Sequence, residues 1–420
     1  MMNIYFNFKI MQQNLIISSI LLSFLYSCKN GEKQTMNPDV IDIESTIQNL
    51  SRLKVSDFGK TIRYVPLETT DDGLVGNNPV VKVSKKYIII EAQRKCLLFD
   101  KKDGQFIASI GHFGQDPEAY SSIFSWMDDK EEFMYFQRYP NQLVKYDVKG
   151  NYCGKVEFSS PPGLASNYLI TDSTIIGYFA SNMHYVIGIF CKEGLLKDTI
   201  SSFFHRAKPP KTEDIMSVDV LRGYNMYGNW GSAGATIINF KDDTKQIISP
   251  ISTTWYNNEN IRYKEAFVDT LYTLIGNSFV PSIVFNTGKY SWPVQDVRNN
   301  EHNTNERIFI SDVSENNNFV FFQCIKRLYS NEPVLYNGLY DKKTGQTKLS
   351  NNSDTIEDDL TYFMPFIPLG ISTSGEFVSL VEAWKVMEWL EKNPEAVKHA
   401  NLSFLKELNA EMNPIVILVE

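Results

Sequence analysis

Histidines, neighbouring carboxylates and cysteines are the side chains in this sequence that could do chemistry, and their spacing does not assemble a reaction centre. The histidines are His112, His184, His205, His302 and His399. A metal-dependent hydrolase or lyase would need several of them, or a ring of carboxylates, converging from distant strands. Scattered singly through turns and loops, they read as solvated or singly hydrogen-bonded. The acidic pairs Asp128-Asp129, Glu131-Glu132 and Asp358-Asp359 lie in polar turns. Two-carboxylate hydrolysis needs opposed groups about 5 to 10 Å apart, and adjacency in sequence does not supply that. There is no G-x-S-x-G elbow and no cysteine with a base at a recognisable spacing. The glycine-rich run at 228–234, GNWGSAG, lacks the lysine and following helix of a phosphate cradle. No catalytic residue, metal ligand or cofactor is assigned.

Aromatic residues offer a better reason to expect binding. Tyr224, Tyr227, Trp230, Trp255 and Tyr256 fall on or near an irregular stretch, 201–234, which is expected to project from one face. Amphipathic rings there suit stacking on a sugar or anchoring a protein partner. They equally suit packing the loop onto the body, and the sequence leaves both open.

The elements that must position these groups are β-strands. Residues 80–83, 87–91 and 95–99, the Asp103-Gly104 turn and residues 105–110 write out a four-stranded antiparallel meander. Similar units recur at 123–158, 167–200, 235–293 and 307–349. A sixth is split: strand-like runs at 361–368 and 376–381, a helical segment from 382 to about 410, and a terminal strand PIVILV at 414–419. Repeated meanders that bury their faces only against neighbours indicate radial packing. The lone strand TIRYVPL at 61–67 would then pair with the last unit and close the ring. The expected fold is all-β, a six-bladed β-propeller over residues 61–420 with a helical insertion in its last blade.

Residues 1–27 have a short apolar run from Leu15 to Leu25 before Ser27-Cys28. Eleven residues are too few for a bilayer core of about 30 Å, so this is a targeting segment. It resembles a bacterial lipoprotein signal, which makes Cys28 the lipidated residue and 28–60 a lipidated start followed by a tether. Of the other cysteines, Cys96, Cys191 and Cys324 sit in apolar runs and Cys153 follows a turn, the pattern of buried thiols more than of a disulfide framework. With 41 Lys plus Arg against 49 Asp plus Glu, a net charge of −8, and no basic stripe, nucleic acid is not an expected partner.

Several motifs, in this order, resemble the six-bladed β-propeller lipoproteins abundant in Bacteroidota, a largely uncharacterised family related to NHL-type propellers. They are Val65-Pro66-Leu67-Glu68-Thr69, Leu98-Phe99-Asp100 with Asp103-Gly104, Ile110-Gly111 with Gly114-Gln115-Asp116-Pro117 and Tyr120, Asp269-Thr270-Leu271-Tyr272 with Pro281 and Gly288-Lys289, and Asn413-Pro414. Where that family tends to read G-Q-G-P-G-E-Y, this chain has G-Q-D-P-E-A-Y at 114–120, and His112, Gln115 and Tyr120 become candidate residues of a binding face. The resemblance implies the fold and says little about activity. The expected function is a cell-envelope lipoprotein, on the outer membrane, whose propeller binds a glycan, a peptide or an envelope protein without catalysis. The alternative is a propeller lyase or hydrolase acting on a saccharide or peptide in the axial channel, with a divalent cation.

Overall fold

Short strands with one apolar run each cannot stand alone, and among the described residues they form seven sheets. The computed structural model describes residues 37–159, 164–179, 185–201, 211–221, 235–248, 254–257, 260–265, 267–292, 298–299, 304–330, 332–351 and 354–420. Sheet 1 is Val80–Val83, Tyr87–Ala92, Lys95–Asp100 and Phe106–Ser109. Sheet 2 is Ser125–Met127, Phe133–Arg138, Gln142–Asp147 and Tyr152–Glu157, and sheet 3 is Asn167–Ile170, Thr174–Tyr178, Ile187–Cys191 and Leu196–Ile200. Sheet 4 is Thr254–Asn257, Asn260–Lys264, Thr270–Ile275 and Ser278–Asn286. Sheet 5 is Ile308–Glu315, Phe319–Lys326, Val334–Asp341 and Gln346–Asn351. Sheet 6 joins Gly370–Ile371, Phe377–Val381 and Ile415–Val419 to the early strand Ile62–Pro66. That last pairing is antiparallel, from Ile62 opposite Val419 to Pro66 opposite Ile415, so the first strand after residue 60 latches onto the last, as the isolated TIRYVPL run requires.

The apolar clusters show how the sheets pack face to face. Ile89, Cys96 and Leu98 of sheet 1 meet Met134, Phe136 and Tyr146 of sheet 2. Comparable clusters join sheets 2 and 3, 3 and 4, 4 and 5, and 5 and 6. Sheet 6 returns to sheet 1 through Val378, Leu380, Val416 and Leu418 against Ile88, Ile90, Leu97 and Phe99. Spacing between neighbours is set partly by glycine: a Cβ on Gly104 (φ +77°) would lie 2.2 Å from the Pro66 carbonyl oxygen, and one on Gly150 (φ +86°) 2.6 Å from that of Ser109. Each turn thus sits against the outer strand of the preceding sheet at a distance no side chain allows. The architecture is mostly β and propeller-like.

Three parts differ from the sequence expectation. Residues 235–240 and 245–248 do not open the fourth unit; they form a separate side sheet with Ile215–Leu221 and Arg298–Asn299. The stretch expected to be irregular as far as 234 therefore contains a seven-residue strand. Alternation of side chains marks a run as strand but does not say which sheet it joins, and a two-residue partner such as Arg298–Asn299 leaves no pattern. The stretch expected as a tether to residue 60 is built into the body from Asp39: Asp39–Asp42 adds in parallel to the outer strand Ser278–Asn286 of sheet 4. Ile41, Ile43, Leu53, Val55 and Phe58 are then buried against sheets 4 to 6. Between the second and third strands of sheet 6 lie the helix Ala383–Lys392 and two 3₁₀ turns, Pro394–Lys398 and Ala400–Lys406, whose Val386, Leu402 and Leu405 cover the seam with sheet 5. Among the described residues no helix is long and apolar enough to cross a membrane.

Candidate axial binding site

The first strands of sheets 1 to 6 share one feature beyond position: all of them line a single cavity of ≈ 1440 Å³. Because an inner strand has the lumen on one side, its residues need not all be apolar, and these strands carry Lys82, Ser125, Asn167, Thr254, Asp312 and Ser314.

Polar bridges cross every seam around this wall. Lys82 Nζ of sheet 1 donates to the Ser125 carbonyl of sheet 2 at 2.9 Å and pairs with the fully buried Glu91 at 2.6 Å. Trp126 Nε1 donates to Asn167 Oδ1 of sheet 3 at 2.8 Å, and Asn167 Nδ2 passes the chain on to the Thr254 carbonyl of sheet 4 at 2.7 Å. Arg262 of sheet 4 grips Glu315 of sheet 5 with Nε at 2.9 Å and Nη2 at 2.6 Å, a two-pronged pair that fits the planar guanidinium. Lys342 Nζ adds a further bond to Glu315 at 2.6 Å. Asn316 Nδ2 donates to the Gly375 carbonyl of sheet 6 at 2.8 Å, and Thr373 N returns to the Val83 carbonyl of sheet 1 at 3.1 Å. Seam-crossing bonds of this kind fix the wall's shape, and a fixed wall lowers the cost of ordering a bound molecule.

Asp312 stands apart from this ring. It follows a bulge in the register between Ile310 and Asp312, a device that re-aims a side chain. Its side chain is accessible because it stands in the cavity, yet protein surrounds it, and that burial pushes its carboxyl pKa above the ordinary carboxylate value, only partly offset by the Val313 N–H bond. On the adjacent inner strand, Trp255 packs beside the cluster containing Ile310 and Val313, and its indole N–H is buried with no partner among the described residues. Tyr256 is 39 % exposed in the same cavity, with its hydroxyl pKa pushed up to about 12 by burial and by the nearby Asp129.

Of the residues singled out from the sequence, Trp255 and Tyr256 are brought together here, on the inner strand Thr254–Asn257 and not on a projecting loop. Tyr224, Tyr227 and Trp230 lie outside the described residues, as do Cys28, His184, His205 and His302. His112, Gln115 and Tyr120 occupy the connection between sheets 1 and 2 and do not line the cavity. His112 pairs with Asp116 at 2.6 Å on the surface, and Gln115 is exposed. Tyr120 is no face residue: it is fully buried, stacked on Phe136 at 4.5 Å, with its hydroxyl donating to the Arg94 carbonyl. The aspartate and glutamate that replace glycine in this loop keep negative φ; the left-handed residue is Gly111. Asp116 instead ties the loop by accepting the Glu118 N–H at 3.1 Å. Cys96, Cys153, Cys191 and Cys324 are free thiols, with Cys96 and Cys324 buried. Among the described residues no group of three or more His, Cys, Asp or Glu is arranged to hold a metal ion.

Sequence reasoning passed over Lys82, Asn167, Arg262, Asp312 and Glu315. A signal was present in RIFISDVSEN, where polar Ser311, Asp312, Ser314 and Glu315 interrupt an otherwise apolar strand.

No curated protein matches the sequence. A crystal structure of a Bacteroides fragilis NCTC 9343 protein described as exported superposes with a TM-score of 0.56 at 16% identity, covering 91% of this chain and 99% of that one. BamB from Moraxella catarrhalis matches with a TM-score of 0.32 at 10% identity over 86% of this chain and 98% of its own. The WD40 repeats of RRP9 match with a TM-score of 0.39 at 11% identity over 88% and 99%. Residues 38–420 match the model of a domain of unknown function, DUF4934, and the chain belongs to that family.

Proposed function

We propose that this protein is a six-bladed β-propeller of the cell envelope, lipid-anchored through Cys28 on the outer membrane, that binds a ligand in its axial cavity without catalysing a reaction. The supporting observation is the wall itself: inner strands of six sheets, bridged seam by seam, enclose a cavity that mixes hydroxyl, amide and carboxylate groups with the rings of Trp255 and Tyr256. Sites that hold small molecules are concave, with a few fixed polar groups among apolar and aromatic surfaces. On this reading the side sheet stands outside the ring, and the helical segment 383–406 is an insertion in the closing blade. A glycan fragment or a short peptide fits a lumen of this size and polarity better than the flat surface of a folded partner.

The test has two arms. Metabolic labelling with a radioactive fatty acid should mark the wild type and leave Cys28→Ala unlabelled; an unlabelled wild type refutes the anchor. Intrinsic fluorescence, to which Trp126 and Trp255 contribute from the cavity wall, should respond to at least one member of a panel of neutral and charged oligosaccharides and short peptides. The response should be lost in Tyr256→Ala that melts like the wild type. A panel response unchanged by that substitution places binding elsewhere and refutes the axial site.

A further inference from the structure

Where second strands reach the lumen, the wall they give it is apolar with one exception. Ile89, Ile176 and Ile261 line the cavity from the second strands of sheets 1, 3 and 4, and Phe319 and Ile325 from that of sheet 5. Gln323, on that same strand of sheet 5, is the polar exception. It stands opposite Asp312 in the strand register, which puts the two side chains on one side of the sheet with Cβ atoms about 5 Å apart. Their neighbours Val313 and Phe322 pack towards sheet 4, so alternation turns Asp312 and Gln323 towards sheet 6. Other carboxylates line the wall. Among the described register pairs of first and second strands, however, this is the one whose two members both reach the cavity and are both polar.

The polar row continues away from the lumen. Gln323 faces Asn337 and Asn337 faces Ser350, both of them fully buried. Polar side chains inside a sheet weaken it unless they are bonded, and the Ser350 hydroxyl has no partner among the described residues. What the row supplies is an orientation. Gln323 Nε2 donates to Asn337 Oδ1 at 3.5 Å, and its carbonyl oxygen is the end left for the lumen. Beside it Asp312 offers a carboxylate, and Ser314 lines the cavity two residues further on. Two acceptors side by side call for two donors side by side. Hydroxyls on adjacent ring carbons of a sugar supply them, and the facing inner strand of sheet 6, Gly370–Ile371, is short and apolar, with a glycine that leaves room for the ring. A calcium ion takes about six to eight oxygens around one point, more than the pair holds. We propose that the axial cavity takes a neutral saccharide, bound through hydroxyls on adjacent ring carbons that donate to the Asp312 carboxylate and the Gln323 carbonyl. This rests on the axial cavity being the binding site, and it adds the ligand's class and the pair that orients it.

Titration calorimetry on the full-length protein tests this with maltohexaose, xylohexaose and mannohexaose, and with pentaalanine. Each sugar is used intact and again after periodate has cleaved its vicinal diols and borohydride has reduced the resulting aldehydes. Binding of an intact sugar that falls at least about tenfold on diol cleavage, and at least about tenfold in both Asp312→Asn and Gln323→Leu, supports the proposal. Equal binding of the intact and the cleaved sugar overturns it. So does sugar binding that Tyr256→Ala abolishes while Asp312→Asn and Gln323→Leu leave it unchanged; the axial site then stands and this pair does not orient its ligand. Binding of pentaalanine alone overturns the saccharide, and its loss in Tyr256→Ala would keep the axial site. No binding of any of the three sugars at millimolar concentration also overturns the proposal, and the fluorescence panel then decides separately whether the cavity binds anything. Asp312→Asn leaves Gln323 and the buried row in place, so it reports on binding even where Gln323→Leu does not fold.

Discussion

Sheet 6 and the cavity wall are made of the same element, a short strand, and they treat polarity in opposite ways. Ile415–Val419 is apolar at every position and no residue of it is more than 2 % exposed. The wall strand Ile308–Glu315 alternates buried Ile310 and Val313 with Ser311, accessible Asp312 and the gripped Glu315. The difference follows from what lies on each flank. The closing strand sits between sheet 5 with its helices on one side and sheet 1 on the other, so any polar atom there would lose water without gaining a partner. An inner strand faces the lumen, where water remains and polar groups cost little. Stability is therefore concentrated at the closure, and the capacity to recognise a ligand at the wall.

Substitution at the closure tests the first half of that contrast hardest. Leu418 packs between sheets 6 and 1 beside Leu97, Leu380 and Val416. Leu418→Ala should cost about 3 kcal/mol through lost burial and a residual cavity. Leu418→Asp, an unpaired charge between two sheets, should cost more than about 4 kcal/mol and leave little folded protein. Denaturant melts measure the first, and limited proteolysis the second. A closure that tolerates Asp at 418 would mean the ring is held elsewhere.

The next largest effect is expected at a polar contact near the same seam. Lys101 and Glu376 join sheets 1 and 6 at 2.7 Å with side chains only 8 % and 13 % exposed. Burial alone would raise the Glu376 pKa, but the Lys101 ammonium and the Ser372 hydroxyl outweigh it and hold the carboxyl below its usual value. Such a group stabilises the fold above its unfolded pKa, and that stabilisation is lost as pH falls through the lower folded value. Lys101→Met should thus cost about 3 kcal/mol near pH 7, because it strands a buried carboxylate. The gap from the wild type should close in acid. Melting temperature against pH for both proteins checks it, and a gap that stays constant to pH 3 would show that packing and not charge is responsible.

How much of this could be read in the residues depends on the same flanks. PIVILV was legible because a strand covered on both sides is written as a continuous apolar run, and TIRYVPL because its alternation marks a strand with no meander of its own to join. The meanders of sheets 1, 2, 3 and 5 were legible through Gly and Asp turns between alternating runs. The side sheet was not, since its strand Ala235–Phe240 reads like any inner strand and only tertiary contacts remove it from the ring. Four residues, Asp39–Asp42, are too few to show a period, so their docking on sheet 4 was hidden as well. At the site, Trp255 and Tyr256 were picked out for their rings, while Asp312 was hidden by its place inside a strand. Polar residues there look like outward positions until the ring shows that their outside is a lumen.

Within the wall, the contrast can be sharpened by comparing Glu315, held by two cations, with Asp312, whose one hydrogen bond among the described residues comes from Val313 N. Glu315 is fully buried and held by two cations that are themselves only 14 % and 17 % exposed. Glu315→Gln keeps the shape and removes the charge, leaving Arg262 and Lys342 facing one another, and should cost about 2 kcal/mol. The exposed pair Lys54–Glu357, 46 % and 57 % exposed, should lose less than about 0.5 kcal/mol in Glu357→Gln.

Asp312→Asn should act in the opposite direction and by the least. Because burial raises its folded pKa, ionised Asp312 is a penalty that is present in full above that folded value. The penalty fades as pH drops to the unfolded value of about 3.9. Removing the charge should therefore stabilise the protein at pH 7 and make no difference in acid. Cavity water screens the charge, so the gain should be below about 1 kcal/mol, a rise in melting temperature of about 1 to 2 °C. A stabilising loss of function is the mark of a group kept for a ligand at some cost to the fold. If Asp312→Asn melts lower than the wild type at pH 7, the carboxylate is instead holding the wall together, and the division between a stabilising closure and a recognising wall fails at the residue where it matters most.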